Sequence, residues 1–422
     1  MRKNMTSPHF HGVDRFTVPR RATAGLLAAG AAALLAACGP GPAMLDTPAG
    51  PGSALPRLTA DPQGTIWLSW VEPADEGHAL KYARLGTEGW SAPGEAARGR
   101  DWFVNWADFP SVVHAGGGRL AAHWLEKREG GPYAYDVVMA VSTDGGASWT
   151  PPARPHGDGT ATEHGFVTLV PGALGARAVW LDGRNTGSVA TGAETAHHGG
   201  HGGAMTLRAG GLDWSGRPLP ELELDPMTCD CCQTGAAATP TGLLVVYRDR
   251  SPEEIRDVYS VSLSDEGASL PAPVASDGWR MPACPVNGPA IDAIGDRVAV
   301  AWFTAADERP AVKLAVSGDG GKRFGEPVTI EAGPNLGRVD VAFLPDGRPV
   351  VSWLALEDKN AVIRYRAVSA DGIPGEVHSL ATTSQARSSG FPQMAVAGEK
   401  LVFAWTAAGE PSRVLTARAP LP

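Results

Sequence analysis

Three of the chain's five cysteines fall within four residues: Cys229, Cys231 and Cys232 in "MTCDCCQTG". Cys284 follows in "MPACPVNG". Four cysteines admit three complete pairings, and the expected bridge joins Cys284 to Cys229 or Cys232. The alternatives are a copper or zinc site built from these four thiolates, although their spacing matches no common zinc motif, and a reactive redox pair. No other cofactor is expected. A second dense stretch, "YRDRSPEEIRD", starts at Tyr247 and carries Arg248, Asp249, Arg250, Glu253, Glu254, Arg256 and Asp257. Guanidinium forks bind carboxylates bidentately, so this loop reads as an anion clamp or as an internal salt-bridge lattice. Arg184, Arg338 and Arg387 extend the supply. "DWFVNWADFP" sets Trp102 and Trp106 beside Asp108, an aromatic platform next to an acid or simple packing under a loop. His156, Asp158 and His164 offer proton transfer, metal ligation or a satisfied hydrogen-bond network. Asn287 completes the candidate ligand-binding set, and "AHHGGHGG" (196–203) reads as a loop that catches metal loosely.

Something must bring these segments together, and the chain repeats itself. "IWLSW", "LAAHW", "ARAVW", "LLVVY", "VAVAW", "PVVSW" and "LVFAW" end at Trp70, Trp124, Trp180, Tyr247, Trp302, Trp353 and Trp405. Each string follows a short apolar strand and a Gly-bearing turn, and each precedes another alternating strand. Repetition at this period overrides the two or three domains that length alone suggests. The prediction is an all-β chain forming a single β-propeller of four-stranded antiparallel blades over 54–422. Seven blades are expected, with six plus an irregular terminal piece as the alternative. The last unit stops after three strands, so a segment near Ala43–Leu55 is expected to supply its fourth.

The turns carry a family mark. "STDGGASW" (Ser142–Trp149) resembles the Asp-box of the sialidase-like, BNR-repeat propellers, and "SGDGGKRF" (Ser317–Phe324) is a near match. The resemblance implies a carboxylate clamped by three arginines, a tyrosine nucleophile activated by a glutamate, and an aspartate as acid/base. Carried onto this chain, it makes Asp108, Asp249, Glu254 and Tyr247 the catalytic candidates. Tyr135 is a further tyrosine, and Glu163 is among the available carboxylates. The ligand-binding candidates are Arg184, Arg248, Arg250, Arg256, Arg338, Trp106, His164 and Asn287. The family's early Arg-Ile-Pro motif is absent; "LPRLTAD" around Arg57 stands instead. If catalytic, the protein would be an exo-α-sialidase-like glycoside hydrolase. A non-catalytic envelope scaffold with a protein partner and a metal-handling protein centred on the cysteines are the competing readings.

Propeller topology sorts the candidates. Loops between second and third strands share a face with the blade-to-blade links, and all the loaded segments fall there. The opposite face receives short Gly-rich turns. At the N-terminus, Arg2, Lys3, Arg15, Arg20 and Arg21 precede an Ala/Leu run ending "LLAAC". This is a secretory signal (1–37) that resembles the lipobox of bacterial lipoproteins, with Cys38 as the lipidated residue and 38–53 as a tether. Removing its five cations and one carboxylate from the net −9 leaves about −13. That charge, with no basic stretch standing out, argues against a nucleic-acid partner; a glycan or another anionic small molecule on the loaded face is what the sialidase-like resemblance implies. The expected place is the cell envelope, with a lipid as the sole membrane anchor and an oxidising environment for the cysteines.

Overall fold

The computed structural model describes residues 41–187 and 203–422. Cys38, the N-terminal signal and all of "AHHGGHGG" except Gly203 lie outside the described residues. Alternating apolar residues form seven antiparallel sheets in sequence order, and two short 3-10 turns are the helical elements among the described residues. This is a seven-bladed β-propeller. Blade 1 comprises Ala54–Ala60, Ile66–Ala74, Gly77–Arg84 and Gly94–Gly99. Blade 2 has three strands, Ser111–Gly116, Arg119–Lys127 and Tyr135–Ser142, and a lone bridge between Met139 and Ala153 at its outer edge. The inner strands of blades 3 to 6 are His164–Pro171, Gly235–Thr239, Ala290–Ile294 and Asn335–Phe343. Blade 7 contains Gln393–Ala397, Lys400–Ala407 and Arg413–Pro420, and Ala43–Leu45 pairs as its outer strand.

Period-2 alternation buries the repeated aromatics between blades. Trp70, Trp180, Trp302, Trp353 and Tyr247 are almost wholly buried. A buried indole N–H needs an acceptor. Trp70 donates to Glu72 (2.9 Å), Trp124 to Glu126 (2.8 Å) and Trp180 to Asp182 (2.8 Å), each acceptor two residues further along the same strand.

Polar side chains on the inner strands and links then fasten one blade to the next. Asp108 accepts the Phe166 N–H, Asp292 that of Phe343 and Asp340 that of Met394, each at 2.7 Å. Thr168 donates to the Thr234 carbonyl (2.8 Å), and Thr406 accepts the Leu55 N–H (3.2 Å) where last blade meets first. The two Ser-x-Asp turns share one geometry. Ser142 donates to Asp144 and accepts from Gly146, as Ser317 does with Asp319 and Gly321.

Candidate functional site

The segments preceding the inner strands converge at the axis on the long-loop face. Trp106 belongs to the link into blade 2, yet it stacks on Phe391 from the link into blade 7 (5.8 Å, 16°). Gln233, in the link into blade 4, donates to the Ala107 carbonyl (2.7 Å) and accepts from Gly288 (2.9 Å). Trp106, Ala107, Phe109, Phe166 and Phe391 thus pack into an apolar plug over the channel. Below it lies a cavity of about 90 Å³ lined by polar groups including Arg57, Thr168, Asp340 and Gln393.

Two arginines sit on this plug. The Arg338 guanidinium lies 4.8 Å from the Trp106 ring centre and 5.8 Å from that of Phe391, and Arg387 lies 5.9 Å from Trp106. Arg338 has a left-handed backbone (φ 50°), and its N–H is donated to Asn287 Oδ1 (2.8 Å). Its Nη1 donates to Ser389 Oγ (2.9 Å) and the Gly390 carbonyl (2.8 Å). Arg338 is buried and Arg387 exposed. Among the described residues neither has a salt-bridge partner. Burial, with the like charge of Arg387 beside it, pulls the Arg338 pKa down to about 10. Two guanidiniums held near one indole, with no salt-bridge carboxylate, are candidates for anion binding, because a bound anion would relieve both desolvation and mutual repulsion.

Behind the same link, Tyr135 Oη lies 2.7 Å from Glu163 Oε1 and 3.2 Å from Asp108 Oδ2. Tyr135 and Asp108 are buried, while Glu163 is half-buried. Gly165 permits the approach: a Cβ there would stand 2.1 Å from Asp108 Oδ2 and 2.9 Å from the Tyr135 ring. Burial pushes Asp108 up to about 7 and Glu163 up to about 8. Burial and the two adjacent carboxyls hold the Tyr135 phenol well above its ordinary value. The trio therefore retains protons at neutral pH and combines a phenol with two acids that titrate there. All three residues stand among the sequence's candidates, but nothing in the sequence joins Tyr135 to Glu163.

The other candidates are held elsewhere. Arg248 is buried and spends its donors on the carbonyls of Asn287, Arg256 and Phe303. Arg250 pairs with Asp230 (3.1 Å) and Glu254 (2.7 Å), and Arg256 with Glu254 (2.8 Å), so the "YRDRSPEEIRD" arginines form a lattice. Arg256 nevertheless leaves Nε and Nη1 without acceptors. Tyr247 donates to Asp225 inside the core between blades 3 and 4. Asp249, half-buried, is raised to about 6 by burial. Arg184 pairs with Asp182 (2.7 Å) and Glu221 (2.6 Å). His164 and His156 stack in parallel at 4.1 Å beside Asp136 and Asp158. The Nε2 atoms of both are buried without a hydrogen bond, and Asp136, His156 and His164 lie close enough to share an ion, as do Asp158, His164 and Asp182. Arg184 already reaches both Asp158 and Asp182, so a cation is in place there.

The cysteine pairing differs from the expected one. Cys231 bridges to Cys284, and Cys229 to Cys232. Cys229 donates its N–H to the Arg248 carbonyl (3.0 Å), which turns its side chain inward. Cys229 and Cys232 are both buried, whereas Cys231 is half-buried and left to meet the neighbouring link.

No family model matches the chain, and no curated protein matches it. Among solved structures it is similar to the Hadza microbial sialidase Hz136 (13% identity, 84% of this chain and 76% of that one, TM-score 0.48). The phage phi92 endosialidase matches at 11% identity, covering 90% and 69% of the two chains with a TM-score of 0.49. The polysaccharide lyase Uly1 matches at 8%, covering 85% and 88%, TM-score 0.47.

Proposed function

We propose that this chain is an envelope-tethered propeller that binds a carboxylated glycan on its long-loop face. Arg338 and Arg387 grip the carboxylate beside Trp106, and Glu163 and Asp108 flank the same link. The observation that carries this reading is the pair of guanidiniums beside one tryptophan, neither with a salt-bridge partner among the described residues, in a chain of negative net charge. Cleavage of the glycan would draw on the Tyr135–Glu163–Asp108 trio, with the phenol first uncovered from its buried position.

Calorimetric titration with sialic and uronic acid oligosaccharides, against their neutral counterparts, tests the proposal. Each guanidinium contributes charge-assisted hydrogen bonds of roughly 1.5–3 kcal/mol. Exposed Arg387→Ala should therefore weaken binding about tenfold or more with an unchanged melting temperature, and Arg338→Ala/Arg387→Ala should abolish it. Equal affinity for neutral sugars, or wild-type binding by the Arg387 variant, would refute the clamp. Release of a free sugar in the same mixtures would make the protein an enzyme as well as a receptor.

A further inference from the structure

We infer that the short-turn face of the propeller lies against the lipid surface and that the long-loop face points away from it. The inference rests on the reading of Cys38 as a lipidated residue. Two observations carry it.

The first is where the chain enters the propeller. Ala43–Leu45 runs antiparallel to Arg413–Pro420, with Ala43 opposite Arg418 and Leu45 opposite Thr416. Arg413–Pro420 descends from the long-loop face, so Ala43 stands at its short-turn end. Arg418 confirms the level by donating to the Gly86 carbonyl, in the short turn closing blade 1's third strand. Four residues lie between Cys38 and Ala43, and the five steps of chain allow at most about 18 Å when extended. Strands of eight or nine residues span about 25–30 Å, so a lipid on Cys38 reaches the near face and not the far one.

The second is apolar exposure. Leu174 (80% exposed), Ile294 (54%) and Ile373 (64%) project from short turns of blades 3, 5 and 6, and Leu270 (88%) lies just above the turn of blade 4. Single exposed aliphatics are ordinary, but these share the face on which the tether enters.

Seated this way, the Arg338–Arg387 site stands a propeller's height above the bilayer. Its ligand is then a soluble or outward-reaching glycan, not a headgroup of the membrane that holds the protein.

The test uses the full chain, processed in cells and reconstituted into phosphatidylethanolamine/phosphatidylglycerol vesicles. A photo-crosslinking residue is placed singly at 174, 294 or 373, and at 104 or 387 on the other face. Mass spectrometry of the N-terminal peptide first reads the premise, and a Cys38 without a thioether-linked lipid removes both premise and orientation. With the lipid present, adducts should form from 174, 294 and 373 at least several-fold more than from 104 and 387. Equal labelling of both faces, or adducts chiefly from 104 and 387, would overturn the orientation while leaving the lipoprotein reading intact.

Discussion

At the scale of single residues, the most informative group is the Asp108 carboxyl. One oxygen holds the Phe166 N–H and the other faces the Tyr135 phenol, so its acidity and its blade-fastening role are coupled. Burial raises both Asp108 and Glu163, to about 7 and about 8. The folded protein therefore keeps protons that the unfolded chain releases above about pH 4. Their contribution to stability is fully present below that pH and is lost as pH rises through 7 to 8. Asp108→Asn retains an acceptor for the Phe166 N–H and can donate to the phenol, but it does not titrate. The difference in melting temperature between wild type and Asp108→Asn should accordingly move in the variant's favour between pH 5 and 8. A pH-independent difference would show that Asp108 is ionised throughout.

At the scale of elements, the links between blades matter more than the strands. The Cys231–Cys284 bridge ties the links that precede the inner strands of blades 4 and 5. Three residues beyond Cys284, Asn287 receives the Arg338 N–H and donates to the Leu336 carbonyl (3.2 Å). The bridge closes a loop of 53 residues, worth at most about 4 kcal/mol in the chain-entropy account. Cys231→Ser/Cys284→Ser should therefore lower the melting temperature and speed amide exchange first in 283–288 and 335–339, before distant blades. Peptide mapping of unreduced protein should recover Cys231 with Cys284 and Cys229 with Cys232. Four free thiols with one tightly held copper or zinc ion would instead make the cluster a metal site.

At the scale of the molecule, closure is a contact between chain ends. Beyond the Ala43–Leu45 pairing, Gly52 donates to Ser412 (2.7 Å), Val414 to Ser53 Oγ (2.9 Å) and Arg413 to the Ala49 carbonyl (3.1 Å). Relative to a soluble chain starting at 41, removing 41–46 should cost about 2–3 kcal/mol, at roughly 1 kcal/mol per lost hydrogen bond. Exchange should then rise first in Arg413–Pro420; unchanged exchange there would mean that other contacts close the ring. The sequence by itself determined the repeating blade, because strand alternation, aromatic position and turn chemistry are local signals that recur at a readable period. It also showed which loops share a face, since antiparallel topology leaves no other assignment once the strands are placed. The tertiary structure decided which charges are free. Arg248, Arg250 and Arg338 look alike in the sequence, yet the first gives Nε, Nη1 and Nη2 to carbonyls and the second pairs with carboxylates, while the third donates through Nη1 alone to Ser389 and Gly390 and lies against a tryptophan that Arg387 also approaches. It also joined Tyr135 to Glu163 and Cys231 to Cys284, pairs separated by 28 and 53 residues. Such partners are chosen by blade packing and by the direction in which each backbone turns its side chain. Burial, which sets the acidity of Asp108 and Glu163, exists only once the blades have closed around them.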